Sequence, residues 1–203
     1  SDGADEFPQD SSQWIDTDGD GYGDNLVGNG ADSCTSTAGW SNLDRYGCLD
    51  SDGDGWSNPD SAWTTANGAD YCGMVVGTSN QDRNGCLDTD DDGWSDNDST
   101  WTTNDGADAF INDSSQWSDA DLDGYGDNAN GTTPDSCIST SGNSTIDRFG
   151  CLDTDDDGYS DGGDAFPNDP ARNADADLDG FDDIEDDCPT ITGTSSNDSL
   201  GCL

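Results

Sequence analysis

The sequence predicts an irregular fold with little regular secondary structure, an elongated repeat array held by crosslinks and bound cations in place of an apolar core. Three observations predict it: 47 acidic side chains against four basic ones in 203 residues, eight cysteines at a fixed pairwise spacing, and one aspartate motif that occurs six times.

The formal charge of −43 repels itself and opposes compaction, and only 29% of the residues are hydrophobic. By composition such a chain cannot bury enough apolar surface to offset its conformational entropy. Cohesion must come from cations and covalent bonds. Nucleic acid and anionic membranes are poor partners, since both need a basic surface. No apolar run approaches a membrane span, Met74-Val75-Val76 being among the longest, so membrane insertion is not expected. The chain opens at Ser1-Asp2-Gly3-Ala4-Asp5, the back half of a motif seen whole further on, and stops at Leu203, where elsewhere a new motif begins. It reads as a segment of a longer polypeptide, with any targeting signal outside it.

Taken in consecutive pairs, the cysteines are separated by the same thirteen residues each time. That spacing nominates Cys34–Cys48, Cys72–Cys86, Cys137–Cys151 and Cys188–Cys202 as disulfides. Closing a ring of this size contributes about 3 kcal/mol in the chain-entropy model. Zinc would want shorter spacing and histidine, and the chain has no histidine. Disulfides place the chain in an oxidising compartment, secreted, extracellular or on the cell surface.

Each pair closes with Gly-Cys-Leu, which cuts the chain into repeat units 1–49, 50–87, 88–152 and 153–203. A longer duplication overlies them, residues 1–58 aligning without gaps on 104–161. Repeats of this kind stack along one axis, each touching its neighbours. No sustained helical or alternating apolar period is present, and Gly, Asp and Asn mark turns nearly everywhere.

The repeated motif is D-x-D-x-D-G-aromatic. Its copies are Asp16, Asp18, Asp20, Tyr22; Asp50, Asp52, Asp54, Trp56; Asp88, Asp90, Asp92, Trp94; Asp119, Asp121, Asp123, Tyr125; Asp153, Asp155, Asp157, Tyr159; and Asp175, Asp177, Asp179, Phe181. Alternate carboxylates line one side of a tight turn, glycine permits the bend, and the carbonyl of the aromatic residue turns inward as a further ligand. A ninth residue continues the shell: Asp24, Asn58, Asp96, Asp127, Asp161 and Asp183. Only two loops carry a carboxylate at the twelfth position, Asp164 and Asp186. The others draw a missing ligand from outside the loop, with Asp10, Asp32, Asp113, Asp135 and Asp169 as candidates. Asp2 with Asp5 reads as a truncated motif, and Asp105 with Asp108 as a decayed one. All-oxygen ligands at this charge density suit calcium better than magnesium. On the order of ten divalent ions would cancel about half the charge, so folding is expected to be metal-coupled.

EF-hands and dockerins share this loop but flank it with amphipathic helices, which the residues after Asp24 and Asp96 cannot form. The run D-A-D-L-D-G-F-D-D-I-E-D-D-C-P at 175–189 resembles instead the thrombospondin type 3 repeat. The C-x13-C-L-D-T-D-D-D-G pattern, with D-R-x-G before the second cysteine, is similar to bacterial and archaeal surface-protein versions of it. The resemblance covers essentially the whole chain. It implies a calcium-wrapped rod in which ions replace the core. Only Cys188 is followed by proline, and the local pairing of cysteines differs from the animal arrangement.

A second aromatic set, Trp14, Trp63, Trp101 and Trp117, is expected to pack on the seventh-position rings, against a sharper alternative of a sugar-stacking surface. Trp40 belongs to neither set. Arg45, Arg83 and Arg148, each three residues before a second cysteine, are expected to pair with nearby aspartates. Asn97, Asn112, Asn130, Asn143 and Asn197 begin glycosylation sequons. With no histidine, lysine or unpaired thiol expected, the sequence lacks the usual catalytic groups. It implies a non-enzymatic structural stalk, spacer or filament component, joined to identical subunits or to further repeats of a longer chain. The rival readings are an adhesion module for glycans or partner proteins, and a calcium store.

Overall fold

The structure, a computed structural model, describes residues 5–203, so the expected role of Asp2 lies outside it. Two compact units make up the chain, Ser1–Ser114 and Ser115–Leu203. Their boundary falls inside the predicted repeat unit 88–152, and no disulfide crosses it.

Among the described residues, regular structure is limited to two single-turn 3-10 helices, Thr65–Asn67 and Thr103–Asp105, and two isolated parallel bridges, Gly23 to Ala31 and Gly126 to Pro134. The helical turns have a local cause. Thr64 donates its N–H and hydroxyl to Asn67 Oδ1 (3.2 and 3.0 Å), and Thr102 does the same to Asp105 Oδ2 (3.1 and 2.7 Å). Glycine then ends each turn in the left-handed region, Gly68 at φ 109° and Gly106 at φ 111°. Each glycine leads directly into a buried Ala-Asp pair, Ala69-Asp70 and Ala107-Asp108.

The interior is inverted relative to ordinary proteins. Five apolar residues are buried among those described, three of them half-cystines, whereas nineteen polar or charged residues are buried, ten of them aspartates. Large apolar side chains point outward, Val27 and Ile184 being about nine-tenths exposed. Among the described residues no apolar core forms.

All four nominated disulfides are present, with Cα separations of 4.9 to 5.3 Å and no free cysteine. In the first three rings a fully buried serine organises the turn. Ser41 accepts the Cys48 N–H (3.0 Å) and donates to the Arg45 carbonyl (2.6 Å); Ser79 and Ser144 repeat the arrangement with Cys86 and Arg83, and with Cys151 and Arg148. Gly39 is obligatory because a Cβ there would lie 1.9 Å from the Cys48 carbonyl oxygen, and Gly77, Gly142 and Gly193 meet the same obstacle.

Four of the aromatic residues, Tyr22, Tyr125, Trp63 and Trp101, take partners other than those expected. Tyr22 faces Tyr46 at 5.6 Å and Tyr125 faces Phe149 at 5.8 Å, because each ring folds the residue before its final Gly-Cys back over the loop. Trp63 and Trp101 lie instead beneath guanidinium groups, Arg45 at 5.6 Å and Arg83 at 5.4 Å. Both arginines also form the expected ion pairs, Arg45 with Asp60 and Arg83 with Asp98, each at 2.7 Å. Arg148 does not follow them. Its segment lacks the D-S-x-x-W or D-S-x-W stretch, and the guanidinium lies 3.5 Å from Cys137 Sγ.

Candidate metal centres

The six acidic loops share one hydrogen-bonded frame. The first aspartate accepts the sixth-residue glycine N–H in every loop, Gly21, Gly55, Gly93, Gly124, Gly158 and Gly180, at 2.8 to 2.9 Å. Those glycines have φ between 93° and 100°, which a side chain would strain. The fifth-position aspartate accepts the seventh-residue N–H through one oxygen, at 2.8 to 3.1 Å. The ninth residue donates its N–H to the carbonyl just before the loop: Asp24 to Ile15, Asn58 to Leu49, Asp96 to Leu87, Asp127 to Ser118, Asp161 to Leu152 and Asp183 to Ala174.

This frame uses the backbone to aim carboxylates inward. One oxygen from each of three aspartates lies within 4.8 Å of the others in the loops Asp16-Asp18-Asp20, Asp50-Asp52-Asp54, Asp88-Asp90-Asp92, Asp119-Asp121-Asp123 and Asp153-Asp155-Asp157. In the loop at Asp175, burial first and then the charges of Asp179, Asp186 and Asp175 push Asp177 above the usual carboxylate range. Both oxygens of the third-position aspartate are buried without a hydrogen-bond partner in all six loops, at Asp18, Asp52, Asp90, Asp121, Asp155 and Asp177. Leaving a buried acceptor unpaired is costly, and leaving an ionised one unpaired is more so. The carbonyls of Tyr22, Trp56, Tyr125, Tyr159 and Phe181 accept no backbone hydrogen bond among the described residues.

A sixth recurring group closes each cluster. Asp32, Asp70, Asp108, Asp135, Asp164 and Asp186 each donate N–H to the carbonyl of the eighth loop residue, at 2.8 to 2.9 Å. Each then accepts, through Oδ1, the N–H two residues on, at 2.6 to 2.7 Å. The other oxygen of Asp32, Asp70, Asp108 and Asp135 is buried and unpartnered, and the first three of these residues are 0, 1 and 2% exposed. Burial pushes Asp32 up to about 6 and Asp70 and Asp108 up to about 7, and the adjacent loop carboxylates add to it.

These closing residues sort the sequence expectations. Asp164 and Asp186 close their loops from the twelfth position, and Asp32 and Asp135 close theirs from outside. Asp10 and Asp169 do something else: Asp10 holds the Ser12 N–H and hydroxyl, and Asp169 pairs with Arg172 at 2.7 Å. Asp113 donates its N–H to Phe110 O at 2.7 Å, in the turn after Asp108. Asp70 is absent from the sequence expectations altogether. Asp108 is no remnant of a decayed loop but the closing carboxylate of the loop at Asp88, while Asp105 caps a helical turn. The signal that finds all six is Asp-x-Cys or Asp-x-Phe, since the residue two places on is Cys34, Cys72, Phe110, Cys137, Phe166 or Cys188. Asp5 repeats the geometry with Phe7, accepting its N–H at 2.9 Å.

Ninth-position side chains face the second loop residue. Asp96 and Asp161 each take both the N–H and the hydroxyl of a threonine, Thr89 and Thr154, while Asn58 accepts the Ser51 N–H and donates to its hydroxyl. They brace the loop whatever they contribute to an ion.

The donor set is therefore all oxygen, anionic and convergent, which is chemistry for a hard divalent cation. No helix among the described residues is long and apolar enough to cross a membrane, and four disulfides are the mark of an oxidising compartment. No protein-family model matches the chain, and no curated protein matches it.

Proposed function

We propose that this chain is a calcium-binding structural module of the cell exterior, a repeat array of the thrombospondin type 3 kind whose cohesion comes from ions held in carboxylate cages. One observation carries the reading: the two buried, unpartnered oxygens of the third aspartate, repeated in six loops. A cation is the partner that satisfies them. Calcium is favoured over magnesium because both oxygens of the third aspartate face inward together with further carboxylates, a crowded protein shell that suits a flexible, higher-coordinate ion and leaves little room for the waters magnesium retains. Six such ions would offset twelve of the 43 net negative charges, which ties compaction to metal. The absence of histidine and lysine from the sequence and of unpaired thiols from the structure supports a structural rather than a catalytic role, as a stalk, spacer or filament component.

Calorimetry with calcium and then magnesium tests this on the intact, oxidised chain. The expected result is at least six calcium equivalents and a near-ultraviolet circular dichroism change that chelator reverses. Equal, weak heats for both ions with no spectral change would remove the reading. Trp40, two-thirds exposed and outside both aromatic packings, favours a second role in contacting glycans or proteins. A glycan array with the wild type and Trp40→Ala decides it: binding that the substitution abolishes establishes adhesion, and no binding leaves the spacer.

A further inference from the structure

Three disulfide rings lie between consecutive acidic loops, and each is bonded to both. Upstream, ring one donates the Gly39 N–H to Asp20 Oδ2 (3.0 Å) and the Cys34 N–H to Asp32 Oδ1 (2.7 Å). Ring two does the same through Gly77 to Asp54 and Cys72 to Asp70, and ring three through Gly142 to Asp123 and Cys137 to Asp135. Downstream, two successive N–H groups converge on the sixth-residue carbonyl of the next loop. Asn42 and Leu43 reach Gly55 O, Asn80 and Gln81 reach Gly93 O, and Thr145 and Ile146 reach Gly158 O, at 2.8 to 3.0 Å.

An aspartate in each ring completes the grip. Asp44 accepts the Ser57 N–H through Oδ1 (2.9 Å) and the Ser57 hydroxyl through Oδ2 (2.6 Å). Asp82 treats Ser95 identically, and Asp147 treats Ser160 likewise at 2.7 and 2.8 Å. In the first two rings Oδ2 also takes an indole N–H, from Trp63 or Trp101. Both oxygens of these three aspartates are thus committed to protein donors, the opposite of the third-position aspartates. The serine they grip is the eighth loop residue, whose carbonyl positions the closing carboxylate Asp70, Asp108 or Asp164. A continuous hydrogen-bonded path runs from the carboxylates of one cage to the closing carboxylate of the next.

We propose that these rings couple adjacent calcium sites, with Asp44, Asp82 and Asp147 as positioning residues rather than ligands. The inference rests on the calcium reading above. An ion in the upstream cage fixes the ring, and a fixed ring has already ordered the sixth and eighth residues of the downstream loop, so the second ion meets a smaller ordering cost. Reciprocity requires the downstream ion to tighten the upstream site by the same factor. The sites at Asp16, Asp50 and Asp88 form one coupled series, and those at Asp119 and Asp153 another. The loops at Asp16 and Asp119 head their series because they have glycine at the eighth position, Gly23 and Gly126, and are braced by the buried side chains of Gln13 and Gln116.

Nitrogen-15 correlation spectra during a calcium titration of the full chain test this, since each loop has its own reporter in the sixth-residue glycine amide. In the wild type, Gly21, Gly55 and Gly93 are expected to titrate together and more steeply than a single site. Asp82→Asn should raise the midpoints at Gly93 and Gly55 by about fivefold or more and leave Gly124, Gly158 and Gly180 unmoved. Asp147→Asn should move Gly158 and Gly124 instead. Independent wild-type midpoints, or unchanged midpoints in both variants, overturn the coupling. Should either variant fail to fold, the wild-type titration alone decides. Glycine amides that ignore calcium altogether would count against the calcium reading itself, a distinguishable failure.

Discussion

Asp70 shows how one carboxylate divides its work. One oxygen holds the Cys72 N–H at 2.7 Å, and the other is buried and free to meet an ion. Asp70→Asn keeps the first contact and turns the second into an N–H donor facing the cage. The loop at Asp50 should then lose roughly tenfold or more in calcium affinity, read at the Gly55 amide, because ligand charge sets affinity in such sites. Protons compete for the same oxygens. With Asp32 raised to about 6 and Asp70 and Asp108 to about 7, against an unfolded value of about 4, the folded geometry without metal binds protons more tightly than the unfolded chain does. Its stability is therefore full below about pH 4 and falls as pH rises through 6 and 7. Calcium affinity runs the other way. It should climb between about pH 5 and 7.5, with proton release on binding near pH 6, measured by calorimetry in buffers of differing ionisation enthalpy.

The disulfide rings and their D-S-x-W partners explain why three equivalent arginines differ. Arg83 is almost fully buried, stacks on Trp101 and Tyr71, and donates to Ser95 Oγ, Asp96 O and Asp98. Arg148, in the corresponding place, is exposed. Arg83→Ala should lower stability by about 2 kcal/mol in calcium, and Arg148→Ala should stay within about 0.5 kcal/mol, compared by guanidinium denaturation. The pairs have a pH signature as well. Hydrogen bonding from Arg45 holds Asp60 down to about 2, and Arg83 holds Asp98 lower still. Their contribution is present above about pH 4 and is lost as pH falls through those values, opposite in sign to the cages.

At the scale of the molecule, the described residues bury nineteen polar side chains against five apolar ones, and on the proposed reading metal and disulfides are the cohesive agents. Chelation should therefore expand the chain while leaving the four rings closed. Small-angle scattering with calcium and with excess chelator measures it, and an increase in radius of gyration is the expected outcome. The expanded form should also be reduced faster by thiols, because Cys48, Cys86 and Cys151 are at most 2% exposed in the folded chain.

Much of this was legible in the linear order of residues. Carboxylates at alternate positions before a glycine belong to one turn, and cysteines with thirteen residues between them close one ring, so neither depends on distant parts of the chain. Composition likewise excludes an apolar core. The closing carboxylate was a different matter. It lies eleven, sixteen or twenty residues after the first aspartate, and the intervening segment is a short turn, a bridge, or a tryptophan followed by a helical turn. Only the folded backbone, by pairing each closing N–H with the eighth-residue carbonyl, decides which aspartate arrives. The fates of Arg83 and Arg148 were settled the same way, because a guanidinium is buried only where the next segment brings an aromatic face and a carboxylate to it.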